Sequence, residues 1–238
     1  MGNQMIFKRY EIKYLITKSQ MNMLKKAFEE YMVEDEHGRS TICSLYFDTP
    51  DFLLARRSME HPLYKEKLRL RSYGVATKTD TVFAEIKKKY DGVVYKRRIS
   101  MKAGEAEQYL IHREQVMDTQ ISREIDFLLR RYEGIAPAIF LSYEREAFYG
   151  KEDREFRVTF DENVLWRDYD LDIAKGIYGE AILKPGYALM EVKIGGAMPL
   201  WLAKLLSENK IYKTSFSKYG NAYRRIFERK MCKEHICS

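Results

Sequence analysis

Lys65-Glu66-Lys67-Leu68-Arg69-Leu70-Arg71-Ser72-Tyr73 is the stretch on which the fold turns. Leu68 and Leu70 oppose Lys67, Arg69 and Arg71, a period of two that marks a β-strand with one apolar and one ionic face. The pattern recurs on both sides. Tyr10, Ile12, Tyr14 and Ile16 alternate with Glu11, Lys13 and Leu15, and Val82, Ala84 and Ile86 alternate with Phe83, Glu85 and Lys87. Residues 41–48 read as a further strand, ended by the turn signal Asp48-Thr49-Pro50-Asp51. Asp91-Gly92 marks a hairpin from residues 81–89 into 93–99, which sets Lys96 and Arg98 on one face. Residues 139–148, 154–161 and 187–194 supply three more strands.

Helical spacing fills the intervals. Met21, Leu24, Phe28 and Tyr31 follow a cap at Thr17 or Ser19, and residues 103–132 read as two polar helices with Ser122 near the second start. Leu202, Leu205 and Leu206 mark a helix within 198–210, and a last helix spans about 217–231. The class is therefore α+β, with about eight strands that are mostly antiparallel by their short connections. Eight strands can close into a barrel with helices packed outside, which removes the exposed edges. The whole chain, 1–238, reads as a single domain.

Composition narrows the partners. Hydrophobic residues are 45% and charged residues 32%, a globular balance. An odd cysteine count (Cys43, Cys232, Cys237) and no signal peptide point to a cytoplasmic protein in reducing surroundings. No window approaches a membrane span, so direct membrane insertion is not expected. A formal net charge of +7 points to an anionic partner: nucleic acid, a membrane surface or a phosphorylated small molecule all fit.

The position of the charges decides among them. The ionic faces carry Lys13, Lys67, Arg69, Arg71, Lys87, Lys96, Arg98, Arg145, Arg157 and Lys193 against Glu11, Glu85, Asp161 and Glu191. In one arrangement the sheet is open, the ionic face is solvated and helices cover the apolar side. In the other the sheet closes with the ionic face inside. An unpaired buried charge costs several kcal/mol, so such a lining must be wet and matched to a polyanion. Arginine forks and lysine ammonium groups grip phosphate oxygens, and Glu85, Glu191 and Asp161 suit a hard divalent cation. Nucleic-acid binding fits worse, because it predicts an exterior basic stripe with interleaved aromatics.

Other polar residues read as structural. His37, His61, His112 and His235 are surface residues, and Cys43 belongs to the core. Cys232 and Cys237 lie in a polar tail, where a metal site with His235 is not expected. Trp166 and Trp201 are packing residues.

The strand Arg9-Tyr10-Glu11-Ile12-Lys13-Tyr14, the run Lys67-Leu68-Arg69-Leu70-Arg71 and Glu85-Ile86-Lys87 resemble the catalytic domain of the vacuolar transporter chaperone (VTC) polyphosphate polymerases. So do Ser142-Tyr143-Glu144-Arg145, Arg157-Val158-Thr159-Phe160-Asp161, Glu191-Val192-Lys193 and Ser215-Phe216-Ser217-Lys218-Tyr219, from about Phe7 to Phe227 in all. That family belongs to the triphosphate tunnel metalloenzymes, and the resemblance implies a closed eight-stranded antiparallel barrel with a basic interior. It implies phosphate contacts from Lys13, Arg69, Arg71, Lys87, Lys96, Arg145, Arg157 and Lys218, hydrogen bonds from Tyr143 and Ser217, and a metal at Glu191. Glu11, Lys67, Arg98 and Lys193 join the phosphate-binding set, and Glu85 the metal set.

The implied reaction transfers the γ-phosphate of ATP to inorganic polyphosphate with Mn2+ or Mg2+, without a general base. Arg9 stands where the wider superfamily has its first strand glutamate, which shifts the expectation from triphosphatase or cyclase chemistry towards the polymerase. The chain resembles the free-standing bacterial version without sensing domain or membrane helices, so membrane coupling would need a separate membrane-protein partner. A non-catalytic polyphosphate or nucleotide sensor and a tripolyphosphate or nucleoside triphosphate hydrolase are the alternatives.

Overall fold

Thr17 ends the first strand and starts the first helix. In the computed structural model, which describes residues 10–60, 62–91 and 93–236, β1 (Tyr10–Thr17) runs straight into α1 (Lys18–Tyr31). The Thr17 hydroxyl accepts from the Gln20 amide while the Gln20 side chain accepts from the Thr17 amide, a capping box. Arg9, His61, Gly92 and Cys237, and the side chain of His235, lie outside the described residues.

The chain continues through β2 (Met32–Glu34), β3 (Ser40–Asp48), α2 (Leu53–Met59), β4 (Tyr64–Tyr73), β5 (Thr81–Tyr90) and β6 (Val93–Lys102). Then follow α3 (Ala103–Leu110), α4 (Gln120–Arg131), β7 (Ala136–Gly150), β8 (Arg157–Arg167) and β9 (Glu180–Ala181). β10 (Tyr187–Ile194), α5 (Leu200–Glu208), β11 (Lys213–Thr214) and α6 (Lys218–Ile236) complete it. No described helix is long and apolar enough to cross a membrane.

The class is α+β with antiparallel pairing, as the alternation predicts. The closed eight-stranded barrel is not found. Among the described residues the sheet has eleven strands in the order β11-β1-β10-β8-β7-β3-β4-β5-β6, with β2 on β7 and β9 on β8, and no pairing joins β6 to β11 or β1. The extra strands β2, β9 and β11 have two or three residues each, too few to leave a period of two. At the end strand β6, Val94, Tyr95, Lys96, Arg97 and Arg98 are all exposed. Charged side chains on such a strand guard an unpaired edge.

Contacts gather in two compact units. The first holds the described residues up to Ser40 with Tyr143–Asn163 and Leu183–Phe216. Here Ile12, Val192 and Val158 align across three strands, as do Tyr14, Met190 and Phe160. This apolar face packs on Met21, Leu24 and Phe28 of α1 and Leu202 and Leu206 of α5. Phe28 meets Phe148 edge-on at 5.4 Å, stacks on Phe160 at 5.7 Å and meets Trp201 edge-on at 5.8 Å.

The second unit holds Thr41–Ser142, Val164–Ile182 and the described residues from Ser217 on. Leu45, Leu70, Ala84 and Ile99 align across β3 to β6, next to Phe47, Leu68 and Ile86. Ala106, Tyr109 and Leu110 of α3 and Ile125 and Leu128 of α4 cover that face. Cys43 and Trp166 are core residues, as expected, and Cys232 is exposed. In each unit, then, helices take the apolar face and leave the ionic face on the other side. Phe28→Ala should cost about 3–5 kcal/mol of stability, read by denaturant unfolding, because its cavity touches three rings.

Candidate functional site

In the first unit the ionic residues line up in rows across β1, β10 and β8. Glu11, Lys193 and Arg157 form one row, and Lys13, Glu191 and Thr159 the next. This face is not solvated as an open sheet would have it: Asp161 is 0% and Glu191 7% exposed. Asp161 accepts from Arg145 Nε at 2.6 Å and Nη2 at 2.7 Å, a bidentate fork. Arg145 also reaches Glu191 at 3.4 Å and lies over the Tyr143 ring at 5.1 Å. Burial opposes the Arg145 charge, and Asp161, Tyr143 and Glu191 outweigh it, raising its pKa.

Lys13 donates to the Phe216 carbonyl at 3.0 Å, with Glu11 at 3.3 Å and Glu191 at 3.6 Å. Arg157 lies over Tyr149 at 4.8 Å and pairs with Asp35 at 3.5 Å, while the Tyr149 hydroxyl donates to Asp35 at 2.7 Å. Lys193 is different in kind. Burial lowers its pKa to about 8, with Arg145 and Arg157 adding to that and Glu191 and Glu11 opposing it.

In the second unit the rows cross β3 to β6. Tyr46, Arg69, Glu85 and Arg98 share one row, Ser44, Arg71 and Phe83 the next, and Lys67, Lys87 and Lys96 a third. Like charges directly opposite repel, so three lysines abreast make a poor sheet and a good anion seat. Glu85 is 2% exposed and accepts from Arg69 Nε at 2.8 Å and Nη2 at 2.6 Å, with Lys96 at 3.0 Å and Arg71 at 3.8 Å. Burial raises its pKa, but Arg69, Arg71 and Lys96 together hold it at about 2. Arg98 lies over the Phe83 ring at 4.9 Å.

The start of α6 belongs to this cluster. Ser217 Oγ accepts from the Gly220 amide at 3.1 Å, and a Cβ at Gly220 would meet that oxygen at 3.3 Å. Lys218 follows at the first helical residue, and the Tyr219 ring stacks on Tyr46 at 4.5 Å with Lys67 5.3 Å from its centroid. The Tyr219 hydroxyl donates to Asp48, whose carboxylate also accepts from the amides of Thr49, Leu54 and Ala55. Tyr46 in turn accepts from Arg69 at 3.1 Å. One buried carboxylate thus fixes the segment that carries Ser217 and Lys218.

The sequence-derived residues therefore fall into two groups. Glu11, Lys13, Tyr143, Arg145, Arg157, Asp161, Glu191 and Lys193 lie in the first unit. Lys67, Arg69, Arg71, Glu85, Lys87, Lys96, Arg98, Ser217 and Lys218 lie in the second. Sequence reasoning missed Asp35, Tyr46 and Asp48 as supports. Tyr46 alternates in step with Ser44 on its strand and was open to detection, whereas the Asp48 contact spans 171 positions and was not.

A divalent cation suits Glu191 better than Glu85. Magnesium-like ions use one or two carboxylates and complete their shell with phosphate and water. Glu191 meets its cations at 3.4 and 3.6 Å with Glu11 near the same lysine, whereas Glu85 is taken up by Arg69 and Lys96 at 2.6–3.0 Å. Among the described residues no group of three or more His, Cys, Asp or Glu gathers that could hold a metal ion by itself.

The chain as a whole has relatives. The VTC domain model matches residues 8–227, and the chain belongs to the VTC domain family. Two solved structures share the fold at a TM-score above one half. One, described as a candidate adenylate cyclase from Bacillus halodurans, is 14% identical at TM-score 0.55, over 88% of this chain and 95% of that one. The other, from Hippeastrum, is described as an adenylyl cyclase candidate with a dominant triphosphatase activity; it is 16% identical at 0.54, over 90% and 94%. At this level of identity these neighbours show a shared fold. No curated protein sequence matches it significantly.

The electrostatics of Glu85 and Lys193 set two expectations. Glu85 has a depressed folded pKa, so it contributes stability above about pH 4.5 that is lost as pH falls towards about 2. The loss should reach about 3 kcal/mol in acid unfolding, and Glu85→Gln should remove that pH dependence. Lys193 should lose its proton as pH rises through about 8, so inorganic tripolyphosphate should bind about three- to tenfold more weakly at pH 9 than at pH 7. Lys193→Met should flatten that profile in a calorimetric titration.

Proposed function

We propose that the protein is a metal-dependent polyphosphate polymerase that transfers the γ-phosphate of ATP to the end of an inorganic polyphosphate chain. The observation that carries this reading is the packing of arginine and lysine rows around carboxylates that they already neutralise. Such rows carry net positive charge in partly buried surroundings, which is what a string of phosphates requires. ATP and polyphosphate are the partners the chemistry fits. Nucleic acid does not fit, and the reading includes a cytoplasmic location and a separate membrane-protein partner for any membrane coupling.

Phosphoryl transfer asks the protein chiefly for positioning and charge neutralisation. A terminal phosphate oxygen of the acceptor attacks the γ-phosphorus, the bond to the β–γ bridging oxygen breaks, and ADP leaves with that electron pair. Within its own unit, each cationic group is suited to stabilise charge on non-bridging phosphate oxygens: Arg145, Arg157, Lys13 and Lys193 in one, and Lys67, Arg69, Arg71, Lys87, Lys96 and Lys218 in the other. Tyr143 and Ser217 add hydrogen bonds, and Arg98 and Glu11 shape the ends of their rows. Glu191, with Glu11 nearby, would hold Mn2+ or Mg2+, which would supply neutralisation of the charge that develops on the transferred phosphoryl group. The acceptor is already anionic, so no proton need be removed.

Hydrolysis is the second reading, favoured by the triphosphatase described for the Hippeastrum neighbour. Incubation with ATP, Mn2+ and a short polyphosphate primer separates the two. The polymerase forms ADP and long-chain polyphosphate in step, with little free phosphate, and Arg145→Ala lowers kcat/KM by about a thousandfold. Free phosphate equal to ADP without polymer would mean hydrolysis. Binding of polyphosphate without turnover, unchanged by Glu191→Ala, would mean a sensor.

A further inference from the structure

Two buried hydroxyls on the ionic faces have no hydrogen-bond partner. Thr159 is 1% exposed and stands on β8 directly opposite Glu191, which stands opposite Lys13. Its Oγ1 is unbonded. Ser44, 0% exposed, stands on β3 opposite Arg71, and both its Oγ and Arg71 Nε are unbonded. Ser142 Oγ is unbonded too, but Ser142 alternates with Tyr143 and Arg145 and so belongs to the other face of β7.

An unsatisfied buried hydroxyl destabilises a fold, and valine or alanine at these positions would keep the shape without it. The pattern occurs independently in both units, each time beside a charged residue of the candidate site. Each surrounding is cationic once its pairs are counted. Near Thr159, Asp161 is occupied by Arg145, while Lys13, Lys193 and Arg157 share the face. Near Ser44, Glu85 is already held by Arg69 and Lys96. A hydroxyl in such a place can donate its proton to an anion. It is a poor cation ligand, since a hard divalent ion wants several oxygens, carboxylates first.

We infer that Thr159 and Ser44 are phosphate-binding residues, each donating its hydroxyl to a non-bridging phosphate oxygen that the neighbouring cations hold. The inference rests on the proposed phosphate chemistry and deepens it by two contacts that no cationic motif reveals. It also carries an unusual sign: removal of either hydroxyl should weaken binding without weakening the protein.

Titration calorimetry with inorganic tripolyphosphate, with and without Mn2+, tests it alongside thermal unfolding of the ligand-free protein. Thr159→Val should bind about tenfold more weakly, with Tm unchanged or raised, and Thr159→Ser should restore affinity. Ser44→Ala should show the same pair of effects. Wild-type affinity in Thr159→Val overturns the assignment, as does a lowered Tm, which would mean the hydroxyl has a structural partner. A loss seen only with Mn2+ present would make the hydroxyl a metal-site group and overturn it as well. Absence of tripolyphosphate binding by the wild-type protein overturns both this inference and the function on which it rests.

Discussion

Asp161 spends both oxygens on Arg145 at full burial, and Glu85 does nearly the same for Arg69 and Lys96. Everything else on the ionic faces depends on that constraint. A guanidinium cannot stay charged and buried without a partner, and breaking one such pair costs about 3–5 kcal/mol. With one carboxylate set among several cations, the rows keep their geometry in the absence of substrate. They still present excess positive charge, because each carboxylate neutralises only one of the cations around it. On the proposed reading the arrangement is a preorganised clamp: side chains held in place before a phosphate arrives lose little ordering entropy on binding it.

The helices serve this purpose from the opposite side. By taking the apolar faces, α1 and α5 in one unit and α3 and α4 in the other fix which way each strand turns its charges. A slip of one residue in any pairing would send the arginines into a hydrophobic core, so the register is strongly determined. Asp48 extends the same logic to α6, where it secures Tyr219 and with it the backbone that carries Ser217 and Lys218. Lys193 is the exception that leaves room for response. Burial lowers its pKa to about 8, which makes its charge depend on pH near neutrality.

Alternation alone was enough to place Lys67, Arg69 and Arg71 on one face, and it gave residues 187–194 as a strand that the structure bounds identically. The helix starts at Thr17 and near Ser122 were legible because their caps are local chemistry. Closure was not legible. Pairing between distant strands leaves no periodic trace, and β2, β9 and β11 are too short to show one. Nor could alternation tell a solvated ionic face from a buried one, since both spell the same pattern. The burial of Asp161 and Glu85 decides that point. Thr159 and Ser44 escaped for a related reason: a hydroxyl between charged neighbours is unremarkable in sequence, and only its missing partner makes it informative.

The most direct test of the central claim is an experimental structure determined with tripolyphosphate and Mn2+ bound. The account predicts phosphate density within hydrogen-bonding reach of Arg145 and Lys13, of Arg69 and Lys67, or of both groups, with the Asp161–Arg145 fork intact. Phosphate bound only at outward-facing cations such as Lys88 and Arg97, which pair with Glu124, would contradict it.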